Sequence, residues 1–307
     1  MFRFDNAGLH TLLPLLHLKD VCTSSGKVCN AEEALLLTCA RLAVPLRYVD
    51  HLRVFGGSEG FLSKVFNGTL RQIHDLLYVR LLQNLERYAD QYASWSALVE
   101  ARADAVDNCI GFLDNTKRGI CRPSQDQNAC YCGYKKKHCL GYQATISPVG
   151  IIFDLHGPNP GYEPDITCLV NSDLLNRLAD VCQRIQSLHV LYADRGYAMH
   201  LHLWVANQGA HLNQAAQEWN TEMNRDRTSS EWGYGKVATL WSYLDHKQQQ
   251  KLLLQPVGLH YIVAVILTNC HTCLYGSVTT KWFRAKAPNL ASYLAVFSAA
   301  ELLAMDQ

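Results

Sequence analysis

Apolar residues in the first third of the chain recur at helical spacing. From Glu32 to Val44 the apolar positions Leu35, Leu36, Cys39, Leu42 and Ala43 fall close to a 3.6-residue period, and Pro45 should end or kink that helix. Leu46 to Phe55 continues the pattern with Tyr48, Leu52 and Phe55. Gly56-Gly57-Ser58 then supplies a turn and an N-cap candidate, and a third helix from about Glu59 turns Phe61, Leu62, Val65, Phe66, Leu70 and Ile73 inward. Helix, glycine turn, helix predicts a helix-turn-helix within an all-α region over 1–85. An ordinary helical hairpin fits the same pattern. Residues 86–107 read as a helical connector.

The texture changes at Cys109. Strand-like runs cover 109–114, 129–134, 140–147 and 150–155, bounded by Arg-Pro-Ser, Ser-Pro-Val-Gly and Gly-Pro-Asn-Pro-Gly clusters. A helix is predicted from about Asn171 to Ile185, a strand over Leu188–Ala193 and a short strand over Leu201–Ala206. From Leu212 the pattern is helical apart from loops. Three meander strands, a helix, a further strand with a short fifth, then helices is the chain order of a ribonuclease-H-like fold. That reading makes 108–290 an α/β core, a mixed sheet flanked by helices, with 291–307 as a C-terminal tail. In such a sheet the first and fourth strands are neighbours. The run Tyr261-Ile-Val-Ala-Val-Ile-Leu267 falls short of the roughly 20 residues of a membrane span and is predicted to be a buried helix. No membrane association is expected.

Length changes this picture little: 307 residues suit one large domain or two. Charge changes it more. A net charge of +1 is low for a free-standing DNA binder, whose affinity comes mainly from phosphate neutralisation. Any nucleic-acid surface must therefore be a local patch. Residues 108–150 supply one, with six Lys/Arg (Lys117, Arg118, Arg122, Lys135, Lys136, Lys137) against Asp114 and Asp126. The twelve cysteines are dispersed, and Leu12-Leu-Pro-Leu-Leu16 is too short and broken for a secretory core, so reduced thiols inside a cell are expected. Cys130, Cys132 and Cys139 with His138, and Cys270 with Cys273 and His271, lack zinc-finger spacing and are read as free thiols.

Candidate chemistry centres on three acids. Asp114 and Asp194 each close a predicted strand, and Glu231 opens a predicted helix. Two strand-end aspartates and a helical glutamate suit a site for two divalent cations, Mg²⁺ or Mn²⁺, which hard carboxylate oxygens favour and which phosphodiester chemistry uses. Asp165 is the next candidate carboxylate, and its place after a Gly/Pro loop favours a helix-capping role. Lys135, Lys136, Lys137 and His138, with Tyr131 and Tyr134 close by, are predicted to track phosphates.

These segments resemble a family. Asp114-Asn-Thr-Lys117, the block from Tyr131 to Gln143, Gly157-Pro-Asn-Pro-Gly161 with Asp165, Ala193-Asp-Arg-Gly-Tyr197 and Arg227-Thr-Ser-Ser-Glu-Trp-Gly-Tyr-Gly235 are similar to the DDE nuclease of PIF/Harbinger transposases. The closing Ile266 to Gly276 is also similar, so the resemblance covers roughly 30–280. It implies an N-terminal helix-turn-helix before a nuclease that cuts transposon ends and rejoins them to target DNA. It implies the triad Asp114, Asp194 and Glu231 as catalytic metal ligands; Lys117 and Arg118, as part of the basic patch beside Asp114, are expected at the double-stranded DNA. Three positions depart from the family pattern: Pro164, Ala198 and the uncharged turn Gly56–Ser58 with Glu59 and Gly60. Residues 31–80 carry six Lys/Arg against five Asp/Glu, so little attraction to DNA is expected there. The resemblance accordingly implies a separate Myb-like DNA-binding partner that aids nuclear entry and end recognition. The alternative is a domesticated descendant that binds DNA or protein without cutting. The intact triad favours the nuclease, since mutually repelling carboxylates serve no purpose in a non-catalytic binder.

Overall fold

The helical spacing of the N-terminal third becomes a stack of helices around a small hairpin. The computed structural model describes residues 1–307 except 24–25, 103–106, 208, 210–211, 299–300 and 302–307. The chain opens with α1 (Asn6–Leu15), an antiparallel hairpin β1 (Val21–Cys22) and β2 (Val28–Cys29), then α2 (Ala31–Ala43), α3 (Tyr48–Phe55) and α4 (Glu59–Leu82). Asn30 and Ser58 cap α2 and α4, each accepting from a backbone amide three residues on. The hairpin corrects the expectation that 1–85 is wholly helical. A 3-10 turn (Glu86–Gln91) and α5 (Tyr92–Glu100) follow, and part of the predicted connector lies outside the described residues.

The sheet begins with β3 (Cys109–Gly119). After it come the single turn α6 (Gln127–Cys130), β4 (Tyr131–Cys132), β5 (Lys137–Ile146) and β6 (Ile152–Pro160). The helices α7 (Asp165–Ser172) and α8 (Leu174–Arg184) lead to β7 (Val190–Ala193) and β8 (Leu203–Val205). The chain closes with α9 (Gln214–Leu240), two 3-10 turns, α10 (Val257–Tyr275), α11 (Val278–Trp282) and α12 (Leu290–Leu294). The order across the sheet is β4-β5-β3-β7-β8, with β6 also paired to β5. The pairs β3/β5 and β5/β6 are antiparallel, and β3/β7 and β7/β8 are parallel. The first long strand and the strand after the helical crossover are thus neighbours, as the chain order predicts.

Several sequence-based boundaries move. Strand β3, expected to close at Asp114, runs on to Gly119, and Glu231, expected to open a helix, lies well inside α9. The predicted strand 129–134 is a helical turn, two strand residues and a tight hairpin turn, with Lys136 at φ 49. The predicted helix 171–185 is two helices that meet at Asp173 in the left-handed region, and the first starts earlier, at Asp165. The run Tyr261–Leu267 lies inside the longer helix α10. That helix is long and apolar enough to cross a membrane by composition, yet its residues from His260 to Cys270 are buried in the core. Asn269 donates to the carbonyl and accepts from the amide of Ile152, so the helix is stitched to the sheet. One hydrophobic cluster joins Leu35, Phe66 and Ile73 of the N-terminal helices to Ile152, Phe153 and Val263. Helix α4 runs along α10 and β6, so the N-terminal helices and the sheet share a core.

Candidate active site

Pairing register sets the two aspartates side by side. Phe112 of β3 stands opposite Tyr192 of the parallel strand β7. Asp114 and Asp194 each lie two residues further on, at the same level, and alternation puts each on the face of its preceding aromatic. That face is covered by α9, whose Met223 packs with Phe112 and Tyr192. The same helix carries Glu231 two turns later. Asp114, Asp165, Asp194 and Glu231 all line one cleft of about 770 Å³. Tyr134, Lys135 and Lys137 from the β4–β5 hairpin line it too, with Lys117 and Arg227.

Each acid is held differently. The Oδ1 atom of Asp114 accepts from the Asn115 amide at 2.8 Å, and its Oδ2 accepts from Ser230 Oγ at 3.3 Å. Burial pushes the Asp114 carboxyl up from 3.8 to about 6; the Asn115 amide and Arg227 pull it back, and the negative Asp194 adds to the rise. Asp194 accepts from the Gly196 amide at 2.7 Å, and a Cβ at position 196 would sit 2.9 Å from that carboxylate oxygen. Glycine there lets the loop curl over Asp194. Glu231 is the most open, with 58 % of its side chain exposed. Asp165 has its carboxyl raised, first by desolvation, while Lys117 lowers it and Asp194 raises it further. Position 164, not 165, is the N-cap of α7, and Pro164 makes no side-chain cap bond. Asp165 stands instead in the first turn of α7, where its carboxylate keeps the dipole part of the capping role expected of it while it also lines the cleft.

Two tyrosines complete the framework, and neither was singled out as a site residue from the sequence. Tyr234 is buried one turn after Glu231. Its hydroxyl donates to the carbonyl of Asp114 at 2.6 Å and accepts from the amide of Ala144 at 3.1 Å. Asp114 and Ala144 are register partners on β3 and β5, so the phenol bridges the two strands at the site itself. Tyr197 is buried close to the acids. Desolvation raises its phenol most, and the charges of Asp165, Asp114 and Asp194 add to this. In the sequence Tyr234 belongs to the Arg227–Gly235 segment, and its position three residues after Glu231 puts it on the inward face of α9.

The basic residues divide. Lys135 and Lys137 line the cleft, while Lys136 is exposed at the hairpin tip. Lys117 donates to the Glu163 carbonyl at 2.6 Å and Lys137 to the Lys117 carbonyl at 3.3 Å, which ties the wall together. His138 packs edge-on against Tyr131 and does not line the cleft. Arg118 departs from expectation. It donates to the Tyr234 carbonyl, pairs with Asp245 at 3.4 Å and lies over the Tyr261 ring. Strand alternation sends it under α9, where it acts as a structural brace.

The donor set is all oxygen, which suits Mg²⁺ or Mn²⁺. Among the described residues no three His, Cys, Asp or Glu side chains form a ready-made metal cluster. Asp114, Asp165, Asp194 and Glu231 share one cleft. The twelve cysteines are all free. The family described as DDE superfamily endonuclease matches residues 113–269, just over half the chain and the span that holds all four acids. No curated protein and no solved structure matches the chain.

Proposed function

The chain belongs to the DDE superfamily endonucleases, and from that membership we propose that it is a transposase of the PIF/Harbinger type that cuts DNA at transposon ends and transfers the strands. The single observation that carries this reading is the convergence of Asp114, Asp194 and Glu231, from two parallel strands and one helix, on a cleft with a lysine-bearing wall. Strand order and direction, β6-β5-β3-β7-β8 with only the first two pairs antiparallel, support a ribonuclease-H-like core.

Asp114, Asp194 and Glu231 are assigned as the ligands of two Mg²⁺ or Mn²⁺ ions, with Asp165 as the nearest further carboxylate. Such a pair supplies an activated nucleophile, in-line orientation and relief of charge on the leaving oxygen. The chain's own groups do the rest. Lys135 and Lys137 meet the phosphate backbone, and Lys136 extends the patch at the hairpin tip. Tyr134, 88 % exposed, offers a ring for a base or sugar. Tyr234 and Arg118 hold α9 to the sheet so that Glu231 keeps its place. After the first cut the free 3′-hydroxyl would use the same cleft to attack a target phosphodiester, forming a new P–O bond as the target strand's own 3′-oxygen leaves.

The helix-turn-helix reading rests on α3, the Gly56–Ser58 turn and α4, whose outer face shows Lys64 and Arg71. The modest charge of that face supports a Myb-like partner for end recognition, and DNA as substrate supports a nuclear site of action. The decisive experiment is cleavage of a candidate transposon end by the purified full chain with Mg²⁺ or Mn²⁺. Cleavage should require the metal and vanish in Asp114→Ala. DNA binding without any cutting, in either metal and with the partner present, would favour the non-cutting descendant instead.

A further inference from the structure

Arg227 sits where a cation is wanted. It lies one turn before Glu231 on α9, with Nη2 3.5 Å from Glu231 Oε1 and Nη1 4.0 Å from Asp114 Oδ2. Its side chain is 21 % exposed, and its Nε is buried with no hydrogen-bond partner. Neither contact is a tight bidentate fork, which would be shorter and use parallel N–H donors. The guanidinium therefore spans two carboxylates without being locked to either.

We propose that Arg227 is an internal counter-cation of the metal-free site, which leaves the carboxylates when a divalent ion enters and moves onto a DNA phosphate. This rests on the nuclease reading. An ion held by Asp114 and Glu231 would lie against the guanidinium, and like charges at contact distance in a partly buried site repel strongly. Arg227 lines the same cleft as Lys135 and Lys137, so a phosphate along that wall is a natural new partner. A planar fork that always carries charge suits such an exchange. Arg227 is thus a positioning residue that couples metal entry to DNA binding. By linkage the coupling is reciprocal: ions should tighten DNA binding, and DNA should tighten ion binding.

The test uses the full chain, Mn²⁺ followed by paramagnetic resonance or calorimetry, and a short DNA duplex with Ca²⁺ as the non-cutting ion. Arg227→Gln should bind Mn²⁺ more tightly than wild type without DNA, on the order of tenfold, within the usual range of coupling between sites. Arg227→Lys keeps the charge and should stay near wild type. For wild type, adding Ca²⁺ should steepen the salt dependence of DNA binding by about one phosphate contact, and Arg227→Gln should lose that change. Equal or weaker Mn²⁺ binding by Arg227→Gln, with wild type binding normally, would overturn the proposal and leave the nuclease reading standing. No Mn²⁺ binding by wild type, with or without DNA, would sink both.

Discussion

Replacing Asp114 with Asn should stabilise the metal-free protein while abolishing cleavage. Burial places the folded-state carboxyl at about 6 against an ordinary 3.8. Each pH unit in that interval corresponds to about 1.4 kcal/mol, so holding Asp114 ionised in the fold costs about 3 kcal/mol. Above pH 6 both folded and unfolded chains carry the charge, and the cost is present in full. Between pH 6 and 3.8 the folded protein binds a proton that the unfolded chain does not, so this cost falls as the pH falls. Below 3.8 it has gone. Urea denaturation with a chelator present, at pH 8 and at intervals down to pH 4, measures the difference. Asp114→Asn should gain about 3 kcal/mol at pH 8, a net figure in which the attraction of Arg227 is already included, and the gain should shrink steadily toward pH 4. Millimolar Mg²⁺ should then favour wild type, because only the intact site gains stability from binding. An Asn variant that is less stable than wild type at pH 8, or a gain that ignores pH, would refute the reasoning.

Glu231→Gln should cut DNA roughly a thousandfold more slowly or worse while still binding it, since residues that act as one unit fail together; substantial residual cleavage would pass the third-ligand role to Asp165. Exchanging Lys135, Lys136 and Lys137 for Gln should weaken DNA binding whatever the sequence, and should flatten the salt dependence by about one unit per lost phosphate contact. An unchanged slope would return the hairpin to an ordinary solvated turn. Away from the cleft, Arg177 pairs at 2.8 Å with Asp154, which is 1 % exposed. Arg177→Ala strands that buried acid and should cost about 3–5 kcal/mol in denaturant unfolding, and a loss under 1 kcal/mol would contradict it.

What could be read from the sequence was what local physics decides. The helices around Leu35, Leu52 and Leu70 follow from apolar spacing, and the strands that carry Asp114 and lead into Asp194 follow from apolar runs. The neighbourhood of those two aspartates followed from chain order alone. Other features escaped for equally physical reasons. Strand β3 continues to Gly119 through polar residues because pairing with β5 holds its backbone, and side-chain pattern does not report that. The left-handed residue Asp173 splits a continuous helical pattern, and three consecutive lysines hide a hairpin turn. The charge of Arg118 suggests a DNA contact, whereas its burial under α9 depends on residues more than a hundred positions away. Tyr234 and Asp114 are 120 residues apart, so their bond is a product of tertiary packing.

That bond has a mechanical consequence. With its hydroxyl held by a carbonyl of one strand and an amide of the next, Tyr234 gives a 27-residue helix a fulcrum on the sheet. Sliding α9 along the strands would break both bonds at once, whereas tilting about the phenol need break neither. Glu231 and Arg227 lie on the same arm of this lever, at one and about two turns from the pivot. On that same arm Asp226 accepts from Trp282 and Ser230 donates to Asp114. Arg227 and Glu231 are therefore presented to the cleft from a helix fastened at three points, and the reach of each side chain, not the travel of its backbone, sets what it can touch.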